Sequence, residues 1–279
     1  MPEKVLPGGG RQEGSWKIGG RAEGNSAPAS GARFWEVDLL RGLAVLCMVA
    51  FHLLFDLDYF QGGYQLTDRD LLLGKASAST FLFLVGLSLS LSCSRARILR
   101  GRCPFPRYLA RGARIFALGM GITLATWIYP GEGVIIFGIL HLIGLSIILA
   151  CPFLAWPHPA RPWICLAAAL AVGAMGLHVD RMTVDFPWLL WLGLAPRGFF
   201  TLDYFPLLPW FALVLLGLWA GELAYPGYRR RIPLPDLTPG PGARWLVLPG
   251  RHPLAIYLVH QPLLIALLDL SGLINITII

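Results

Sequence analysis

Six ionisable residues frame the first long apolar stretch of this 279-residue chain: Glu36, Asp38 and Arg41 open it, and His52, Asp56 and Asp58 close it. Charged side chains at bilayer depth cost a few kcal/mol each, so they face a protein-lined cavity, a pathway or an active site. In a helix, His52 lies about 21 Å beyond Asp38, at roughly 1.5 Å per residue, in the outer half of the membrane. Asp56 follows at i+4, on the same helical face. A carboxylate partner fixes an imidazole tautomer and stabilises its protonated form, as general-base chemistry requires; the bland alternative is a solvated His and Asp at a helix end. His141, in VIIFGILHLIGLSIIL, and His260, in HPLAIYLVHQPLLIALL, also lie within apolar stretches. Each is either an interhelical hydrogen-bonding contact or, with His52, part of a shared chamber.

A second group is basic. Residues 95–114, RARILRGRCPFPRYLARGAR, hold seven arginines. Such a run serves topology and anionic lipid headgroups. Arginine also binds phosphate bidentately, so Arg95, Arg97, Arg107, Arg111 and Arg114, with Arg41, form the candidate site for a phosphorylated cofactor.

The elements that must position these groups are membrane helices. The chain is 56% hydrophobic and 14% charged, with a mean hydropathy of +0.62, against roughly 25% charged residues in soluble domains. Seven stretches approach the roughly 20 apolar residues that a spanning helix needs: 38–60, 71–92, 108–128, 134–156, 162–179, 205–225 and 252–272. The predicted fold is therefore all-α, a polytopic integral membrane bundle of about seven transmembrane helices. The aromatic, proline-interrupted segment 186–200 is a re-entrant or interfacial element or an eighth crossing.

With the N-terminus inside, all Lys and Arg except Arg69, Lys75, Arg181 and Arg197 fall in cytoplasmic segments, which fits seven crossings and places the C-terminus outside. Residues 1–33, rich in Gly, Ser, Ala and charge, read as a disordered cytoplasmic tail. They contain no signal-peptide core, so the first span should stay attached as an anchor. Residues 34–279 form the single transmembrane domain. Cys47, Cys93, Cys103, Cys151 and Cys165 lack metal-ligand spacing and read as small packing residues, and no metal is expected. Lipids are the expected partners, nucleic acid is excluded because the basic charge hugs the membrane ends, and a homodimer is compatible with the sequence. The expected location is multi-pass in a membrane, the plasma membrane for a prokaryotic source.

WEVDLLRGLAVLCMVAFH, the FLFLVGLSLSLS run, FGILHLIGLSII, FPLLPWFALVLLG and GRHPLAIYLVHQPLL occur in this order. Together they resemble the heparan-alpha-glucosaminide N-acetyltransferase catalytic-domain family. Asp-x-x-Arg-Gly opening the first span and Tyr-x-x-His-Gln in the last are the most distinctive matches. The resemblance implies a polytopic acyltransferase in which cytosolic acetyl-coenzyme A donates its acetyl group to an amino or hydroxyl group of a sugar beyond the membrane. Family members place a catalytic His in the loop after the first span; residues 57–70 hold none, and His52 is the nearest substitute. The combined expectation is His52 as general base oriented by Asp56, His260 and His141 completing the chamber, and the arginines binding acyl-CoA. Direct transfer and an acetyl-histidine intermediate both remain open. The competing reading is a small-solute or proton-coupled transporter, which needs the same intramembrane residues but no coenzyme A; a purely structural membrane protein ranks last.

Overall fold

The computed structural model of the chain describes residues 34–60, 63–129, 132–156, 158–232, 234 and 241–274, the last stretch as backbone alone over 241–244. The tail 1–33 and the side chain of Arg244 lie outside the described residues. Eight α-helices follow one another: α1 (Trp35–Tyr59), α2 (Asp68–Arg100), α3 (Phe105–Ile128), α4 (Ile139–Ala155), α5 (Arg161–Val179), α6 (Leu207–Ala224), α7 (Pro241–Arg251) and α8 (Pro253–Leu270). A 3-10 turn, Pro226–Tyr228, separates α6 from α7. Among the described residues there is no strand, only an isolated bridge between Val184 and Pro196.

Local chemistry sets the boundaries. Asp70 Oδ2 accepts from the Thr67 N–H (2.9 Å) and hydroxyl (2.6 Å), while the Asp70 N–H donates to the Thr67 carbonyl, which fixes the start of α2. α2 stops at Gly101, whose φ of +69° terminates the helix in the left-handed region. Prolines stand at the first turns of α3, α5 and α8, where a missing N–H costs nothing.

All seven predicted stretches contain a helix. α1, α2, α5, α6 and α8 are long and apolar enough to cross a membrane. α3 has the length, but Arg107, Arg111 and Arg114 occupy its first half. α4 has 17 residues, about 26 Å at ~1.5 Å per residue, against a hydrocarbon core of about 30 Å. It begins at Ile139 rather than 134 because residues 133–138 are tied to another loop. Segment 186–200 is a chain of turns, so the eighth crossing does not form there; the Trp191 and Leu192 carbonyls instead accept the Leu207 and Leu208 N–H groups at 2.8 and 3.1 Å. The eighth helix is α7, laid along α1.

α2 and α6 form the centre of the bundle, with α5 outside α6, α4 beside α2 and α6, α3 on α4, and α1 between α2, α7 and α8. Lipid supplies no hydrophobic drive between helices, so close backbone approach matters. A Cβ on Gly86 would meet the Val214 carbonyl and one on Gly217 the Phe83 carbonyl, so α2 and α6 touch through glycines on both sides. Gly42 of α1 and Gly250 of α7 are matched in the same way, against the carbonyls of Leu246 and Asp38. Apolar side chains such as Leu170 and Leu177 on α5, and Val259, Leu263 and Leu267 on α8, point outward, as suits a lipid-facing surface.

The cysteine expectation is corrected at one place. Cys93 and Cys103 form a disulfide, because the turn at Gly101 folds the chain back toward the end of α2. Cys151 and Cys165 are buried free thiols and Cys47 is half-buried, as packing residues are.

Gly250→Ala should lower the thermal midpoint of the detergent-solubilised protein by the equivalent of about 1–3 kcal/mol, because the new methyl overpacks a helix contact. Gly121→Ala on α3, where a Cβ meets nothing within 4 Å, is the control and should leave the midpoint unchanged or raise it. Equal effects of the two substitutions would show that the α1–α7 contact is not tight.

Candidate active site

α1 and α8 bring His52 and His260 edge to face, with ring centroids 4.8 Å apart. Each ring is held by its own helix. His52 Nδ1 lies 2.9 Å from the Met48 carbonyl, and His260 Nδ1 lies 2.7 Å from that of Tyr257 and 3.2 Å from that of Ile256. Carbonyls only accept, so in the neutral rings Nδ1 carries the proton and Nε2 is the bare nitrogen. His52 lines a large cavity, whereas His260 Nε2 is buried with no hydrogen-bond partner among the described residues.

Asp56 does not bond His52 as the i+4 spacing suggested. The Met48 carbonyl, one turn earlier, takes the imidazole N–H, and α8 sets Gln261 against the carboxylate, with Gln261 Nε2 donating to Asp56 Oδ1 at 2.6 Å. Asp56 is 1% exposed, and its second oxygen, like Gln261 Oε1, has no hydrogen-bond partner among the described residues. A layer of polar atoms thus backs the two histidines at the α1–α8 crossing.

His141 is not part of this group. Its Nδ1 accepts the Gly138 N–H at 3.2 Å and its Nε2 lies 3.3 Å from the Thr123 hydroxyl, the opposite tautomer to His52. It stacks on Phe137 with centroids 5.5 Å apart and caps α4 against α3. Depth in the membrane suggested a shared chamber, but α4 turns this ring toward α3, and His141 does not line the cavity.

The cavity has a volume of about 940 Å³. One end carries Arg41, Arg95, Arg111, Arg114 and Arg251; the other carries His52, Lys75, Asp203, Tyr204 and Tyr257, with apolar walls from α2, α3 and α4 between them. Arg41 is locked in place. Nη1 donates to Asp38 Oδ1 (2.8 Å) and the Gly250 carbonyl (3.1 Å), and Nη2 to the Ser88 hydroxyl (2.8 Å).

Arg97 and Arg107 lie elsewhere. Two positions along a helix rotate a side chain by about 200°, so Arg97 points away from Arg95 and donates to the Leu154 carbonyl at 2.6 Å. Arg107 is exposed one turn before Arg111, beyond the mouth. Sequence reasoning missed two residues. Arg251 follows Gly250, the residue that touches the Asp-x-x-Arg-Gly start of α1, and that juxtaposition of two motifs was the available signal. Asp203, taken as an outer-loop acid, lines the cavity; Oδ2 accepts the Ile139 N–H at 3.0 Å. Burial raises its carboxyl to about 6, with the Ile139 N–H pulling the other way.

Residues 33–262 match the family model described as heparan-alpha-glucosaminide N-acetyltransferase, catalytic. No curated protein and no solved structure was matched.

Gln261→Leu should destabilise the protein by about 1–3 kcal/mol, because it strips a buried carboxyl of its hydrogen bond. The double variant D56L/Q261L should lie closer to wild type than the sum of the single losses, with a coupling above about 0.5 kcal/mol. Strictly additive thermal-melt losses would mean that Asp56 does not depend on Gln261.

Proposed function

This chain belongs to the heparan-alpha-glucosaminide N-acetyltransferase catalytic family, and within that family of membrane acetyltransferases we propose that it takes its acetyl group from acetyl-coenzyme A at the arginine end of the cavity and delivers it at the His52 end. The acceptor is the amino or hydroxyl group of a sugar-like molecule on the far side of the membrane, for a prokaryotic source the plasma membrane. The observation that carries this reading is the continuity of one cavity from an arginine mouth to an imidazole. By the distribution of basic residues the mouth is cytosolic, the side on which a phosphorylated donor is available.

The residues suit the donor's chemistry. Arg111, Arg114 and Arg251 make no hydrogen bond or salt bridge with the described residues, so their guanidinium groups are available to phosphate oxygens. Arg95 stands beside them, and the fixed Arg41 adds charge deeper in the wall. Apolar side chains, among them Leu84, Val85, Ile143 and Ile147, line the passage that a thin aliphatic arm would follow. Bound this way, the donor supplies an activated thioester carbonyl. His52 offers a bare Nε2 held by its Nδ1–H bond to Met48, the arrangement of a general base that takes a proton from the acceptor. His260 packs on that ring, and Asp56 with Gln261 fixes α8 against α1 behind it. Because both ends open into one space, direct transfer from donor to acceptor is the mechanism the geometry supports.

Calorimetry on the detergent-purified protein should show saturable acetyl-coenzyme A binding, weakened about tenfold or more in Arg114→Ala and Arg251→Ala. His52→Ala should bind the donor as wild type does and lose roughly 10²- to 10⁴-fold in transfer rate. A folded protein that bound no donor at millimolar concentration would point to a transporter instead, and normal turnover in His52→Ala would remove the imidazole from the chemistry.

A further inference from the structure

Asp203 stands out at the outer end of the cavity. Its loop is zipped onto residues 133–138: the Thr201 hydroxyl donates to the Val134 carbonyl (2.8 Å), the Leu202 N–H to that of Gly133 (2.9 Å) and the Phe205 N–H to that of Phe137 (3.1 Å). Gly138 leaves no room for a Cβ, which would strike the Asp203 carboxylate. The carboxylate is therefore positioned by backbone on both sides. Oδ2 is taken by the Ile139 N–H, no hydrogen bond reaches Oδ1 among the described residues, and the three salt bridges among them join other pairs. Its surroundings are mostly aromatic and aliphatic: Leu202, Tyr204, Phe205 and Tyr257, with Lys75 exposed on α2.

A half-buried carboxylate with no ion-pair partner among the described residues has given up part of its hydration, and a cationic ligand offsets that cost. An acetyl acceptor that is cationic at neutral pH is an amine. We propose that Asp203 is the residue that selects an amine over an alcohol acceptor, pairing with its ammonium and taking the first proton it must lose. The proposal rests on the acyl-transfer reading above.

The proton balance explains why two bases share the chamber. R–NH3+ gives one proton to the Asp203 carboxylate, leaving a free amine. The nitrogen lone pair forms the C–N bond at the thioester carbonyl carbon, and the C–S bond breaks with its electron pair on sulfur. The second N–H proton passes to His52 Nε2 and from there to the thiolate, giving the thiol. Asp203 then returns its proton to the outer solution, so one proton is released per acetamide formed. An alcohol has a single proton to lose and needs His52 alone.

The test uses D-glucosamine and D-glucose as a matched amine and alcohol, measured by calorimetry on wild type and on Asp203→Asn, with acetyl-coenzyme A binding followed in parallel. Asn keeps the size of the side chain and can still accept the Ile139 N–H. Expected are at least about tenfold tighter binding of glucosamine by wild type, loss of that preference in Asp203→Asn, and unchanged donor binding. No preference in wild type, a measurement that needs no variant, or a preference retained in Asp203→Asn overturns the assignment. Donor binding without an amine preference removes Asp203's role and leaves the acyl-transfer reading standing. An Asp203-dependent amine preference without donor binding does the reverse.

Discussion

The Arg41 guanidinium ties the arginine-rich end of the structure together. It joins α1 to itself through Asp38, to α2 through Ser88 and to α7 through the Gly250 carbonyl. Asp38 is only 5% exposed, so neither charge is tolerable there without the other. The carbonyl it binds belongs to the glycine whose missing Cβ lets α7 lie on α1. Arg251 is the next residue, and α8 begins two residues later, carrying Tyr257, His260 and Gln261 toward the His52 end. The position of α8 against α1, and with it the His52 to His260 contact, thus depends on a buried charge about three turns away.

The other charges of the bundle separate into two groups. Glu36 takes a bidentate contact from Arg230 at 2.8 Å on each oxygen, and Glu222 binds Arg161 and the Ser90 hydroxyl. These pairs hold helix ends together, as an isolated charge there would be prohibitively costly. Arg111, Arg114 and Arg251 at one end of the cavity and Asp203 at the other have no such partner among the described residues. The first group is structural, and the signs of the second suit the polyanionic donor and the cationic acceptor proposed above.

Much of this was legible in the sequence. Apolar run lengths located seven helices, and the arginine-rich segment between α2 and α3 does border the cavity mouth. Depth along α1 was readable for His52 because rise along a helix is fixed by residue count, whereas His260, read as near the middle of its span, is the ring that meets it. Azimuth was not: Arg97 and His141 lie at suitable levels but face other helices, and only packing sets that. The His52 to Asp56 spacing suggested a pair that the Met48 carbonyl and Gln261 pre-empt, a competition invisible without α8 in place. Asp203 was hidden for another reason, since its location depends on the register between two loops about 65 residues apart, which no periodic pattern records.

On the proposed reading, the two-ended cavity also limits what has to cross the membrane. Arg41 and His52 are eleven residues apart on one helix, about 16 Å at ~1.5 Å per residue. A donor anchored at the mouth has to extend its reactive end over that distance, and no bulky charged group has to pass the apolar middle formed by α2, α3 and α4. Only an acetyl group, small and neutral, needs to reach the outer half. Neither a large hinge motion nor an alternating opening is then required, in contrast to a transporter, where the whole solute moves past the same walls. Rigid glycine-mediated contacts between α1 and α7 and between α2 and α6 are consistent with that economy of motion: they hold the ends of the cavity at a fixed separation.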